Sequence, residues 1–142
     1  MANVYGVNYN KVNANPPVNV APADQAGRIR SYYDEYTQGA ADGNIGDIIN
    51  MQPLPEGAKI LGGKLLWGTG NTNETLKAGV VGSDAAFVAA TAAATAGDVE
   101  LKAHLLAGYK VPAGGIGVIV TNGTAAIKAA QKVALYLQYV ID

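Results

Sequence analysis

The sequence contains no cysteine and a single histidine, His104. Without thiols there is no disulfide framework and no thiolate nucleophile, and one imidazole cannot supply the two or three His ligands that zinc or cupin-type centres require. Charge is scarce as well. Asp, Glu, Lys and Arg make up 15% of the 142 residues, and ten basic against eleven acidic side chains leave a formal net charge of -1. Such a chain has no global field to draw it to nucleic acid or to an anionic membrane. No run approaches 18 apolar residues, and the N-terminus lacks a basic stretch followed by an apolar one, so neither a membrane-spanning helix nor a secretory signal is expected. These absences predict a soluble protein made in the cytoplasm, with no cofactor, metal, nucleic acid or membrane among its partners.

Site signatures are missing too. Gly57 to Lys64 places five residues, not four, before the Gly-Lys pair, and Leu65 stands where a phosphate-binding loop needs a hydroxyl. Residues 113 to 120 lack the third Gly or Ala of a dinucleotide fingerprint, and no Asp-x-Asp-x-Asp-Gly calcium loop occurs. Asp34 with Glu35, Asp42 with Asp47, and Asp98 with Glu100 are the carboxylate pairs a glycosidase reading would use. Asp98 and Glu100 fall on one face of a strand, where they repel, and a solvated strand end explains them better. His104 lies between Ala103 and Leu105 in an apolar stretch and reads as a hydrogen-bonded or surface side chain. The sequons Asn73-Glu74-Thr75 and Asn122-Gly123-Thr124 read as turn chemistry. The expectation is a protein that is not an enzyme.

What the chain does have is an unusual start. Six Asn precede position 20, Pro16 and Pro17 adjoin, and five of the eight Tyr (Tyr5, Tyr9, Tyr32, Tyr33, Tyr36) lie in the first 39 residues, without sustained hydrophobic periodicity. A segment with no apolar face to bury either stays mobile or orders against another surface, and Tyr supplies contact area at low entropic cost. Residues 1 to 27 are therefore expected to form an extended arm whose partner contacts involve Tyr5, Tyr9, Pro16 and Pro17. Residues 28 to 142 are expected to form the body, with Tyr32, Tyr33 and Tyr36 in its first strand.

Within the body, strand signals alternate with Gly, Pro and Asn breaks. Residues 45 to 51 precede a break at Pro53 and at Pro55 to Gly57. Ala58 to Trp67 and Thr75 to Val81 read as neighbouring strands joined by a Gly/Asn-rich hairpin loop, 68 to 74. Ser83 to Thr95 is Ala-rich, with an N-cap at Ser83 or Asp84 and a stop at Gly97, and predicts a short helix. Residues 99 to 111 hold one strand or two. Ile116 to Thr121 is β-branched and leads into Asn122-Gly123, the strongest turn dipeptide of the chain. From Val133 to Ile141 the period-2 pattern predicts a final strand covered on both faces. The sum is an all-β architecture, a jelly-roll-like β-sandwich or barrel with one short Ala-rich helix and an extended N-terminal arm. Trp67 ends a strand and is assigned to the core ahead of a ligand or interface role; in a carbohydrate- or receptor-binding alternative it would act with Asn71 and Asn73.

The order of these features resembles the small capsid decoration (cement) proteins of tailed bacteriophages and related jelly-roll virion structural proteins. Pro55, Gly57 and Ala58 match a strand leading into an "lP.Ga.il" element; Gly82, Asp84, Phe87, Ala90 and Thr91 match "vG..da..f.aat"; Tyr139, Val140 and Asp142 match a closing "eYv.d". Gln138 stands where the acidic residue usually does, and the long arm is not a fixed feature of the group. The resemblance spans about residues 45 to 142 and carries over no catalytic residues. It implies a homo-oligomer, with a trimer as one form, on the capsid surface of a virion, bound to the major capsid protein lattice and stabilising the head.

Overall fold

The computed structural model describes residues 10–11, 13–19, 28–101 and 109–141. Among the described residues eight strands form the body: β1 Ile29–Thr37, β2 Ile48–Leu54, β3 Ala58–Trp67, β4 Thr75–Val80, β5 Ser83–Ala92, β6 Gly97–Glu100, β7 Ile116–Gly123 and β8 Lys132–Ile141. They form two four-stranded sheets, ordered β1-β8-β3-β6 and β2-β7-β4-β5. The pairing is nested: β1 with β8, β2 with β7, β3 with β6 and β4 with β5, all antiparallel. A long hairpin folded over on itself gives this pattern, so the sandwich is a jelly roll.

The core lies between the sheets. Leu65, Trp67, Val133, Leu135 and Leu137 come from one sheet, and Leu54, Leu76, Phe87, Val118 and Val120 from the other. Each of the larger side chains contributes roughly 1.5–3 kcal/mol through burial. The alternation foreseen for the last strand places Val133, Leu135 and Leu137 inward, and β8 pairs on both edges, with β1 and β3. Tyr32, Tyr33 and Tyr36 do lie in the first strand, where Tyr32 is buried and the other two are exposed.

Four local expectations fail for physical reasons. The Ala-rich segment is not a helix; it is strand β5. Alanine favours helix intrinsically, yet a helix here would bury only about one turn, whereas the strand pairs along β4 and buries Phe87 and Val88. Gly82, at φ 91°, makes the two-residue turn that folds β5 back onto β4. Close approach fixes the pairing: a Cβ on Gly79 would stand 2.2 Å from the Ser83 carbonyl oxygen.

Nor do β3 and β4 form a hairpin. Both edges of β3 are taken by β8 and β6, so residues 68 to 74 instead cross from one sheet to the other. Alternation identifies a strand but not its partner. The third failure is Asn122-Gly123, which ends strand β7 instead of turning: Gly123 pairs with Thr75, Asn122 is buried, and the positive φ falls on Thr124 at 65°. Pro53 sits inside β2 where a break was expected. It is tolerated because β2 is an edge strand with a bulge between Met51 and Leu54.

Candidate interaction site

The candidate contact residues of the sequence do not share one place. Tyr5 and Tyr9 lie outside the described residues, as does His104. Pro16 and Pro17 are exposed, inside a turn that the Val18 N–H closes by donating to the Lys11 carbonyl at 2.8 Å. Trp67 is 8% exposed, and its indole N–H donates to the Thr95 carbonyl at 2.9 Å. The ring thus caps one end of the core. Asn73 is exposed at φ 64° and Asn71 is half-buried, so the two flank the same crossover without a shared face.

Asn71 instead fastens three connections. Its side-chain amide donates to the Asp42 carboxylate at 3.0 Å and to the Ala126 carbonyl at 2.8 Å, while its backbone N–H donates to Glu74 at 2.8 Å. Asp42 also accepts the Ala129 N–H at 2.8 Å. That bond and the Asn71 amide hold the Asp42 carboxyl below its ordinary range. Gln131 closes the group, donating to the Gly68 carbonyl at 3.0 Å and accepting the Lys128 N–H at 3.2 Å. Glu74 is fully buried at the centre, with no partner for Oε1, and burial raises its pKa despite the donors around it. Sequence reasoning missed this role, because a carboxylate in an Asn/Gly-rich link reads as exposed.

Two of the three carboxylate pairs bond the protein's own backbone, Asp34 with Glu35 and Asp42 with Asp47. Asp47 accepts the Asn44 N–H at 2.8 Å, and Asp34 accepts the N–H groups of Glu35 and Gln52, each at 2.8 Å. Asp98 and Glu100 stand exposed on β6 opposite Leu66 and Lys64. Among the described residues no group of three or more His, Asp or Glu side chains is placed to hold a metal ion.

What the surface offers is apolar contact along β1 and β2. Of the large hydrophobics exposed among the described residues, Ile29, Tyr33, Tyr36, Ile45 and Ile48 lie on these two strands or their connection, leaving only Val18 and Val81 elsewhere. Isolated exposed apolar residues are ordinary; concentration on one side marks a contact surface.

No family model matches the chain, and no curated protein matches its sequence. Solved structures do match in fold. A chain described as the cyanophage Pam1 capsid asymmetric unit superposes with a TM-score of 0.71 at 23% identity, covering 92% of this chain and 97% of that one. A chain from the capsid of Ralstonia phage GP4 gives a TM-score of 0.68 at 23% identity, covering 84% and 88%. The protein shares its fold with chains of two phage capsids. Both matches span most of each partner, so the likeness extends beyond one sheet.

Proposed function

We propose that the protein is a virion structural component: a capsid decoration, or cement, protein that binds the major capsid protein lattice of a tailed phage and stabilises the head. The observation that carries this reading is the near full-length match of the jelly roll to chains of phage capsids. The exposed apolar side chains of β1 and β2 support it, since a surface of this kind is covered in an assembly. The β-sandwich body, residues 28 to 142, sits on the outer surface of the shell as a homo-oligomer. The arm, residues 1 to 27, clamps a neighbouring subunit through Tyr5, Tyr9 and the Pro16-Pro17 spacer. No catalysis is part of this role, and synthesis takes place in the host cytoplasm.

Head stability tests the reading. Heads lacking the protein, heated with and without it added back, should release their DNA at a higher temperature when it is present. An unchanged release temperature at saturating protein contradicts the stabilising role.

A further inference from the structure

Where β1 ends near Tyr36 and β2 begins near Ile48, the sandwich is open at its edge. A slot of about 360 Å³ enters there, walled by Tyr36, Ile48, Ile49 and Ile127, with Asp47 at its rim and Asn122 lining it. Asn122 is 1% exposed; its amide N–H donates to the Ala125 carbonyl at 2.8 Å, but its Oδ1 has no hydrogen-bond partner. A buried acceptor left unpaired costs free energy, which a donor that reached it from the slot would recover. Ile48 at 57% and Ile45 at 66% exposure stand beside it. An occupant must therefore bring a neutral donor and apolar area together. Aliphatic side chains of this size are buried by protein and left wet by sugars, so the slot suits a peptide.

The chain carries such a peptide. Residues 1 to 10 contain no charged side chain and present Asn3, Asn8, Asn10, Tyr5 and Tyr9, all of which carry N–H or O–H donors. Lys11, the first charged side chain, complements Asp47. With Lys11 held to Val18 by their hydrogen bond, the ten residues from Val18 to Arg28 reach roughly 35 Å when extended, enough to leave one body for another. Resting on the reading of residues 1 to 27 as a clamp, we infer that the N-terminal arm of a second copy seats in this slot, an Asn or Tyr donor meeting Asn122 Oδ1 and Tyr rings covering Ile45 and Ile48. The arm's receptor is then the protein itself, and the copies on a head are linked to one another as well as to the lattice.

The absence of native cysteine allows a direct test in the full chain. Tyr9→Cys protein is mixed under mild oxidation with Ile48→Cys protein or, as control, with Val81→Cys protein, whose site is exposed at the far side of the same sheet. The expected result is an interchain product several-fold more abundant with Ile48→Cys, competed away by unsubstituted protein. Equal yields, or no product, overturn the inference. A product that forms only within a doubly substituted chain, independent of concentration, also overturns it, because the arm would then fold onto its own body. The same variants are pelleted with heads: a missing cross-link with intact pelleting removes the slot assignment alone, whereas unsubstituted protein that never pellets removes the virion reading.

Discussion

The hydroxyl of Tyr32 on β1 donates to the main-chain oxygen of Gln52 on β2, tying the edge of one sheet to the edge of the other. Asp34 completes the tie by accepting the Gln52 N–H. Both polar groups of an edge-strand residue are thereby covered, which blunts an edge otherwise open to unwanted strand pairing. Tyr32→Phe keeps the ring in the core and loses only this bond. It should cost about 1 kcal/mol in urea denaturation, with the β circular-dichroism spectrum unchanged.

Gly79→Ala should be costlier. The added methyl meets the β5 backbone, which cannot rotate away as a side chain would. A loss of about 2–3 kcal/mol is expected by thermal denaturation, from partial separation of β5 from β4. Gly82→Ala adds strain of about 1 kcal/mol at its positive φ and should be milder, since nothing lies near its Cβ position.

Glu74 makes stability depend on pH. Its folded-state pKa is raised, chiefly by burial and further by the Asp42 charge, so the folded chain binds more protons than the unfolded one between the ordinary Glu value and the raised one. Stability from this site is therefore full below that interval, falls as pH rises through it and is level above. In Glu74→Gln the fall should vanish while the Asn71 N–H keeps an acceptor; urea midpoints measured from pH 4 to 8 check this. A slope unchanged from that of the native chain contradicts the assignment.

Trp67 and Asn73 should separate cleanly. Trp67→Ala removes a core ring and orphans the Thr95 carbonyl, at a cost of about 3–5 kcal/mol. Asn73→Gly keeps the left-handed conformation and should change stability by less than about 0.5 kcal/mol. Any glycan or receptor binding at this loop is therefore read with Asn73→Gly on an array, because Trp67→Ala would lose binding by unfolding.

Strands were legible wherever burial imposed period 2. Val133, Leu135 and Leu137 show it, and so do the limits of β3 at Ala58 and Trp67. Pairing was not legible, because β3 and β4 look alike as neighbours until β8 and β6 occupy both sides of β3. Alanine misled at 83 to 95 because intrinsic propensity is weak beside the tertiary burial of Phe87 and Val88. Glu74 and Asn122 were hidden for a related reason: both are polar residues in turn-like sequence, and only the convergence of distant connections makes them buried. The exposed apolar side of β1 and β2 was equally unreadable, since Ile45 and Ile48 in sequence are indistinguishable from core residues.

The most direct test of the central claim is co-sedimentation of purified protein with phage heads that lack it, titrated to saturation. The account predicts binding that saturates at a fixed number of copies per head, set by the symmetry of the shell, and that weakens when residues 2 to 27 are removed. Binding that never saturates, or protein left in the supernatant with every head tried, would contradict it.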